Sequence, residues 1–187
     1  KHHEGFCLFD SAYTDYKSTN TPYGKDIVKE YAEAFRAEGL HVGLYYSLID
    51  WHHPDFTIDW RHPRRNDPNA EEENKHKNMH VYAEYMRNQV RELLTNYGKI
   101  DILWFDFSYT QKPASAKPWM QGKGKDAWEA EELIKTARSI CPDIIIDNRT
   151  EIEQDIWTPE QYQPMSWLKH PKTGELVVWE ACQTFSG

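Results

Sequence analysis

The chain has 187 residues, and 22 Lys and Arg against 30 Asp and Glu give it a formal charge of −8, with Arg64 and Arg65 the nearest approach to a basic cluster. That balance excludes the electrostatic footprint of a nucleic-acid binder, and no apolar run approaches the ~18 residues that would span a membrane. Hydrophobic residues at 39% and charged residues at 28% fit a single globular domain, and three widely spaced cysteines (7, 141 and 182) fit neither a disulfide framework nor a zinc site.

In chain order, Phe6-Cys7-Leu8-Phe9 is a short apolar run, expected as a strand, and a loop follows to Tyr23. Ile27, Val28, Tyr31, Ala32 and Phe35 share one face of a helix over 26–37, with Gly39 in the position of a left-handed cap. Residues 41–47 read as a buried strand, and 50–74 as a long polar loop with Pro54, Pro63 and Pro68. Met79, Tyr82, Met86, Val90, Leu93 and Leu94 mark the second helix, which Gly98 ends. A strongly apolar strand over 100–107 is interrupted by Asp101 and Asp106. A second loop, 108–124, leads to a third helix carrying Ala127 through Ile140, a strand over 143–147, a loop to Gly174 and a last strand over 176–180.

Apolar strands alternating with helices predict an α/β fold with a parallel sheet covered on both faces. A doubly wound sheet and a (β/α)8 TIM-like barrel both fit the pattern. The barrel is favoured because Ser47, Asp106, Asp147 with Arg149, and Glu180 all stand at strand C-terminal ends, where barrel enzymes carry their chemistry. No glycine-rich phosphate loop is present to argue for the other. The chain opens at Lys1 without Met or a signal-like segment and stops at Ser186-Gly187. Residues 1–187 are therefore expected to be the central part of one catalytic barrel domain, truncated at both ends.

Asp106 follows Leu103-Trp104-Phe105, so its carboxylate is half desolvated and rigidly held, as a nucleophile requires. A capping Asp is the plainer alternative, weakened because a Pro-containing loop follows rather than a helix. Glu160, in Trp157-Thr158-Pro159-Glu160-Gln161, reads equally as a second carboxylate for glycoside hydrolysis or as part of a helix start. His2, His3 and Tyr45 offer hydrogen bonds to sugar hydroxyls. Arg149 suits a carboxylate or a hydroxyl, or a structural ion pair. Trp51 and Trp104 suit sugar stacking or core, and Trp104 shares the Asp106 side of its strand by alternation. Paired histidines also raise a metal-dependent reading, with His52, His53, Asp55 and His62 as further ligands, but no spacing among them is diagnostic. His76 and His80 lack an intervening HExxH pattern and read as a solvated helical face.

Together these segments resemble the family of retaining α-L-fucosidases, glycoside hydrolase family 29. The resemblance rests on Lys1-His2-His3-Glu4-Gly5-Phe6-Cys7-Leu8-Phe9, Gly43-Leu44-Tyr45-Tyr46-Ser47, Leu94-Thr95-Asn96-Tyr97-Gly98, Leu103-Trp104-Phe105-Asp106 and Trp179-Glu180-Ala181-Cys182, in that order. It implies an exo-acting hydrolase that releases terminal L-fucose by double displacement, with Asp106 as nucleophile and Glu160 as acid/base. His2, His3, Tyr45, Trp104 and Arg149 fall where the family contacts the fucose hydroxyls and the nucleophile, and Trp51, as a stacking residue, and Glu180, at a strand end, are the further candidates for sugar binding. It implies no metal or organic cofactor, a fucosylated glycan or glycoconjugate as partner, and a periplasmic, secreted or lysosomal setting. Linkage would be set by the loops 50–74 and 108–124. A carbohydrate-binding protein on a degenerate barrel is the alternative, opposed by the presence of both carboxylates. Two departures from the family pattern stand out: Glu4 where Asp is usual after the His pair, and Phe107 where Gly is usual after the nucleophile, which narrows the pocket near the anomeric carbon.

Overall fold

The computed structural model describes residues 1–184, so the Ser186-Gly187 end lies outside the described residues. Three parallel strands, β1 (Gly43–Ser47), β2 (Ile102–Asp106) and β3 (Ile145–Ile146), form one sheet in the order β1-β2-β3. The helices are α1 (Ile27–Ala37), α2 (Ala70–Asn74), α3 (Met79–Asn96), α4 (Lys125–Trp128) and α5 (Ala130–Ile140). This is the mixed α/β, parallel-sheet architecture expected, but three strands do not close a barrel. Nor are both faces covered. Leu44 and Tyr46 on β1, Leu103 and Phe105 on β2, and Ile146 on β3 are buried in the core that α3 and α5 complete. Tyr45, Trp104 and Asp106 alternate onto the other face, which the described residues leave open.

Helix starts follow from their caps. The Asp26 carboxylate accepts from Lys29 N at 2.9 Å to begin α1, and Asn78 accepts from His80 N at 3.0 Å to begin α3. Gly39, at φ 72°, ends α1 as expected, with Leu40 N donating back to Phe35 O at 2.9 Å. On α3 five of the six predicted apolar positions, Tyr82, Met86, Val90, Leu93 and Leu94, are buried, and Met79 in the first turn is partly buried. On α1 only Ala32 is buried, and Ile27 and Phe35 stay exposed because nothing described packs over them.

Several elements differ from expectation. The third helix is two helices, because Glu129 turns into the left-handed region (φ 47°) and sends its carboxylate to His80 and Arg87 on α3. His80 thus has a partner rather than belonging to a wholly solvated face. The expected first strand makes a single bridge, Cys7 to Lys17, because a 3-10 turn over Ser18–Asn20 begins directly after Lys17 and ends the pairing. The expected last strand is likewise reduced to single bridges, Trp157–Trp179 and Lys169–Leu176, whose partners lie in loops. The 50–74 loop is not a solvated one. Phe56, Ile58, Asp59 and His62 are buried in it, and α2 closes it.

Candidate active site

The parallel register sets Tyr45 beside Trp104 and Ser47 beside Asp106, so the polar ends of β1 and β2 arrive side by side. The segment carrying His2 and His3 is not a strand. It is tied to the end of β1 by Ser47 N donating to Lys1 O (3.2 Å) and Trp51 N donating to His3 O (2.8 Å). Gly5, at φ 87°, makes the turn out of it, and a Cβ there would lie 2.2 Å from Asp50 Oδ1. The Lys1 ammonium is buried against Asp50 (3.2 Å) and donates to Ser47 O and Ile49 O, which fixes the histidine pair to the sheet.

Asp106 is held from two sides. Tyr45 donates its hydroxyl to Oδ2 at 2.6 Å, and Arg149 donates Nη2 to Oδ1 at 2.5 Å and Nε to the same oxygen at 3.1 Å. The remaining Arg149 nitrogen, Nη1, pairs with Glu160. One guanidinium therefore spans both carboxylates that the sequence singled out. Burial pushes the Tyr45 hydroxyl well above its ordinary pKa, and the bond to Asp106 adds to this, so Tyr45 remains a donor. Burial disfavours the Arg149 cation, but Asp106 and Glu160 outweigh it and raise its pKa. At Glu160 burial also opposes charge, yet hydrogen bonds from Gln161 and Arg149 hold the carboxyl below its ordinary value.

The histidines are ordered by what surrounds them. Ser47 Oγ donates to Ile49 O at 2.9 Å and accepts from Ile49 N, so its contact with His3 Nδ1 at 2.7 Å requires the imidazole to donate. Burial, with His2 beside it, lowers the His3 pKa to about 4. His3 is then neutral near pH 7, with its Nε2 lone pair left to accept from a ligand hydroxyl. His2 stacks on His3 (ring centroids 3.9 Å) and on Tyr45 (5.8 Å), and Tyr45 stacks on Trp104 (5.7 Å), giving a continuous aromatic wall. Trp51 meets the His3 ring edge-on at 5.5 Å and packs against the core, so it braces His3. Glu180 stands behind the wall. Its Oε1 accepts from Trp104 Nε1 and from Thr158 Oγ1 (2.7 Å), which couples the indole to the loop that bears Glu160.

A cleft of about 450 Å³ opens beside this cluster, lined by Arg61, Phe107, Arg149, Glu151, Thr158 and Glu160, among others. Phe107, next to Asp106, has φ 86°, a conformation that glycine adopts freely and a bulky residue adopts only under constraint. Its ring is held between His3 (4.9 Å, edge-on) and the Arg61 guanidinium (4.4 Å). Sequence reasoning missed Arg61, which no motif marks, and passed over Thr158 and Asn148, whose side-chain oxygen accepts from Thr158 N at 3.0 Å. The histidines proposed for a metal do not converge. His53 Nδ1 accepts from Asp55 N (3.1 Å), His62 Nδ1 accepts from Arg64 N (3.0 Å), and His52 stacks on Tyr16.

The family model described as α-L-fucosidase matches residues 1–187. The chain is 45% identical to the α-L-fucosidase isoenzyme 1 of Paenibacillus thiaminolyticus, with a TM-score of 0.82 over 98% of this chain and 43% of that one. A variant of the α-L-fucosidase AlfC of Lactobacillus casei, solved in complex with Fuca(1,6)GlcNAc, is 27% identical with a TM-score of 0.68, covering 88% of this chain and 50% of that one. The α-L-fucosidase of Dictyostelium discoideum is 29% identical over 154 residues, which are 80% of this chain and 28% of that protein. The chain thus spans half or less of the length of each of these relatives.

Proposed function

The chain belongs to the α-L-fucosidase family, and on that premise we propose that it supplies the catalytic centre of a retaining exo-fucosidase acting on fucosylated glycans. In this reading β1, β2 and β3 are successive strands of a (β/α)8 barrel, and the open face carrying Tyr45, Trp104 and Asp106 looks into it. The observation that carries the proposal is the single guanidinium of Arg149 placed between Asp106 and Glu160 at the C-terminal end of a parallel sheet. A retaining mechanism needs two carboxyl groups about 5–5.5 Å apart, which one shared cation brings within reach.

In the first step an Asp106 carboxylate oxygen bonds to the anomeric carbon, the bond to the leaving oxygen breaks, and protonated Glu160 gives its proton to that oxygen. In the second step water attacks the same carbon, its proton passes to Glu160, and the bond to Asp106 breaks to release fucose. Tyr45 and Arg149 orient Asp106 through charge-assisted hydrogen bonds, each residue to one of its oxygens. Glu160, held low by Gln161 and Arg149, is poised as the base of the second step. To serve as acid in the first it must leave Arg149 and gain a proton as substrate excludes water and favours its neutral form. His3, presenting a lone pair, and the aromatic wall of His2, Tyr45 and Trp104 bind the fucose ring.

The pairing of Glu160 with Arg149 is also the one feature that favours sugar binding without cleavage. Proton NMR of aryl α-L-fucoside hydrolysis by the full-length protein separates the readings. The α-anomer of fucose as first-formed product is expected. Release of the β-anomer would contradict double displacement, and binding without turnover would favour the lectin-like alternative.

A further inference from the structure

Four charged side chains line the cleft: Arg61, Arg149, Glu151 and Glu160. Three of them are committed. Arg149 is shared by Asp106 and Glu160, and Glu151 accepts from Lys125 N at 3.1 Å through Oε2 and from Thr110 Oγ1 through Oε1. Of these four, Arg61 alone makes no side-chain hydrogen bond or ion pair among the described residues, and its Nε is buried without an acceptor. Leaving a desolvated guanidinium nitrogen unpaired is unfavourable, so the arrangement calls for a use.

Arg61 is also rigid. Its guanidinium lies over the rings of Trp60 (4.2 Å), Phe107 (4.4 Å) and Tyr109 (5.1 Å). Its backbone N–H donates to Asp59 Oδ1 at 2.8 Å, and Asp59 is itself clamped by the Tyr109 hydroxyl (2.6 Å) and by buried Lys123. Rings hold a guanidinium in place without accepting its hydrogen bonds, which leaves its Nη N–H donors for an anion. Because the side chain is already ordered, little freedom is lost on binding.

Its position in the cleft gives it a side. The wall assigned to fucose, His2, His3, Tyr45 and Trp104, does not line this cavity, whereas Glu160, assigned to the leaving oxygen, does. Arg61 therefore stands across Phe107 from the fucose wall, where the leaving group goes. We propose that Arg61 is a specificity-determining residue on the leaving-group side, recognising a carboxylate or sulfate carried by the aglycone of an acidic fucosylated glycan. The proposal rests on the fucosidase reading above. Aromatic residues around the cation serve the recognition by keeping it weakly hydrated.

The test uses the full-length protein with matched aryl α-L-fucosides: 4-carboxyphenyl and 4-sulfophenyl substrates, each set against the neutral 4-carbamoylphenyl one. The readout is the ratio of kcat/KM for the anionic substrate to kcat/KM for the neutral one, so the intrinsic difference in leaving-group ability is common to all variants. Arg61→Met is expected to lower that ratio about tenfold, the factor that loss of one charge-assisted hydrogen bond brings. Arg61→Lys, which keeps the cation, should recover part of it. The larger of the two drops identifies carboxylate or sulfate as the recognised group. An unchanged ratio in Arg61→Met, including one where both substrates fall together because Phe107 has lost its brace, would overturn the proposal. Turnover of the neutral substrate by the unaltered protein separates that failure from a failure of the fucosidase reading, because no turnover of any substrate would remove both.

Discussion

Asp147 follows directly on β3 with no solvent exposure, and its Oδ1 accepts from Phe105 N at 3.2 Å while Oδ2 has no partner among the described residues. Burial pushes its pKa from an ordinary 3.8 up to about 8, against the hydrogen bonds that lower it. The folded chain then holds a proton that the unfolded chain has released. The stability this gives is fully present below the lower value and is lost as pH rises through the upper one. Asp147→Asn, neutral throughout, should flatten that decline. Urea unfolding of the full-length protein at about pH 5 and about pH 9 checks it, and an equal loss of stability in both proteins would contradict it. At this scale the sequence was most informative where chemistry and strand position coincide. Asp106, Arg149, Tyr45 and Trp104 were all legible from their places at or near strand ends, and the structure brings them together. Arg61 was not legible, because its meaning depends on three rings from two separate loops closing around it.

At the scale of elements, the two long loops act as one wall. Lys123 from 108–124 reaches Asp59 in 50–74, with both side chains almost fully buried, and also donates to Thr57 O at 3.0 Å. Removing one partner of such a pair strands the other charge, which costs about 3–5 kcal/mol. Lys123→Met should therefore lower the stability of the full-length protein by that order, as measured by denaturant midpoint. A change below about 1 kcal/mol would show that the loops are held by their apolar contacts instead. Helix periodicity located α3 because its face is buried along its length, whereas the break at Glu129 escaped notice. No residue there is a usual helix breaker, and the cause is a carboxylate drawn across to His80 and Arg87 on another helix. The outer strands were over-read for a related reason: an apolar run states what can pair, not whether a partner ladder is at hand.

For the molecule as a whole, no further strand flanks β1 or β3 among the described residues, where only single bonds and bridges to loop segments are made, and one face of the sheet is open. Parallel sheets are stable almost only with both faces covered. Residues 1–187 expressed alone should therefore show no cooperative transition in an intrinsic-fluorescence melt and should bind a hydrophobic dye, and a sharp transition would contradict this. The same openness explains why the α/β class and the parallel order were readable from the chain while closure was not: closure needs strands beyond the three described here. What the 187 residues do carry is the pair of carboxylates on one arginine. The most direct test compares hydrolysis of an aryl α-L-fucoside by the full-length protein and its Asp106→Gly variant, with and without added azide. If Asp106 is the nucleophile, turnover falls by about a thousandfold or more, and azide restores it by forming the β-fucosyl azide. Activity surviving within about tenfold of the unaltered protein would remove Asp106 from that role.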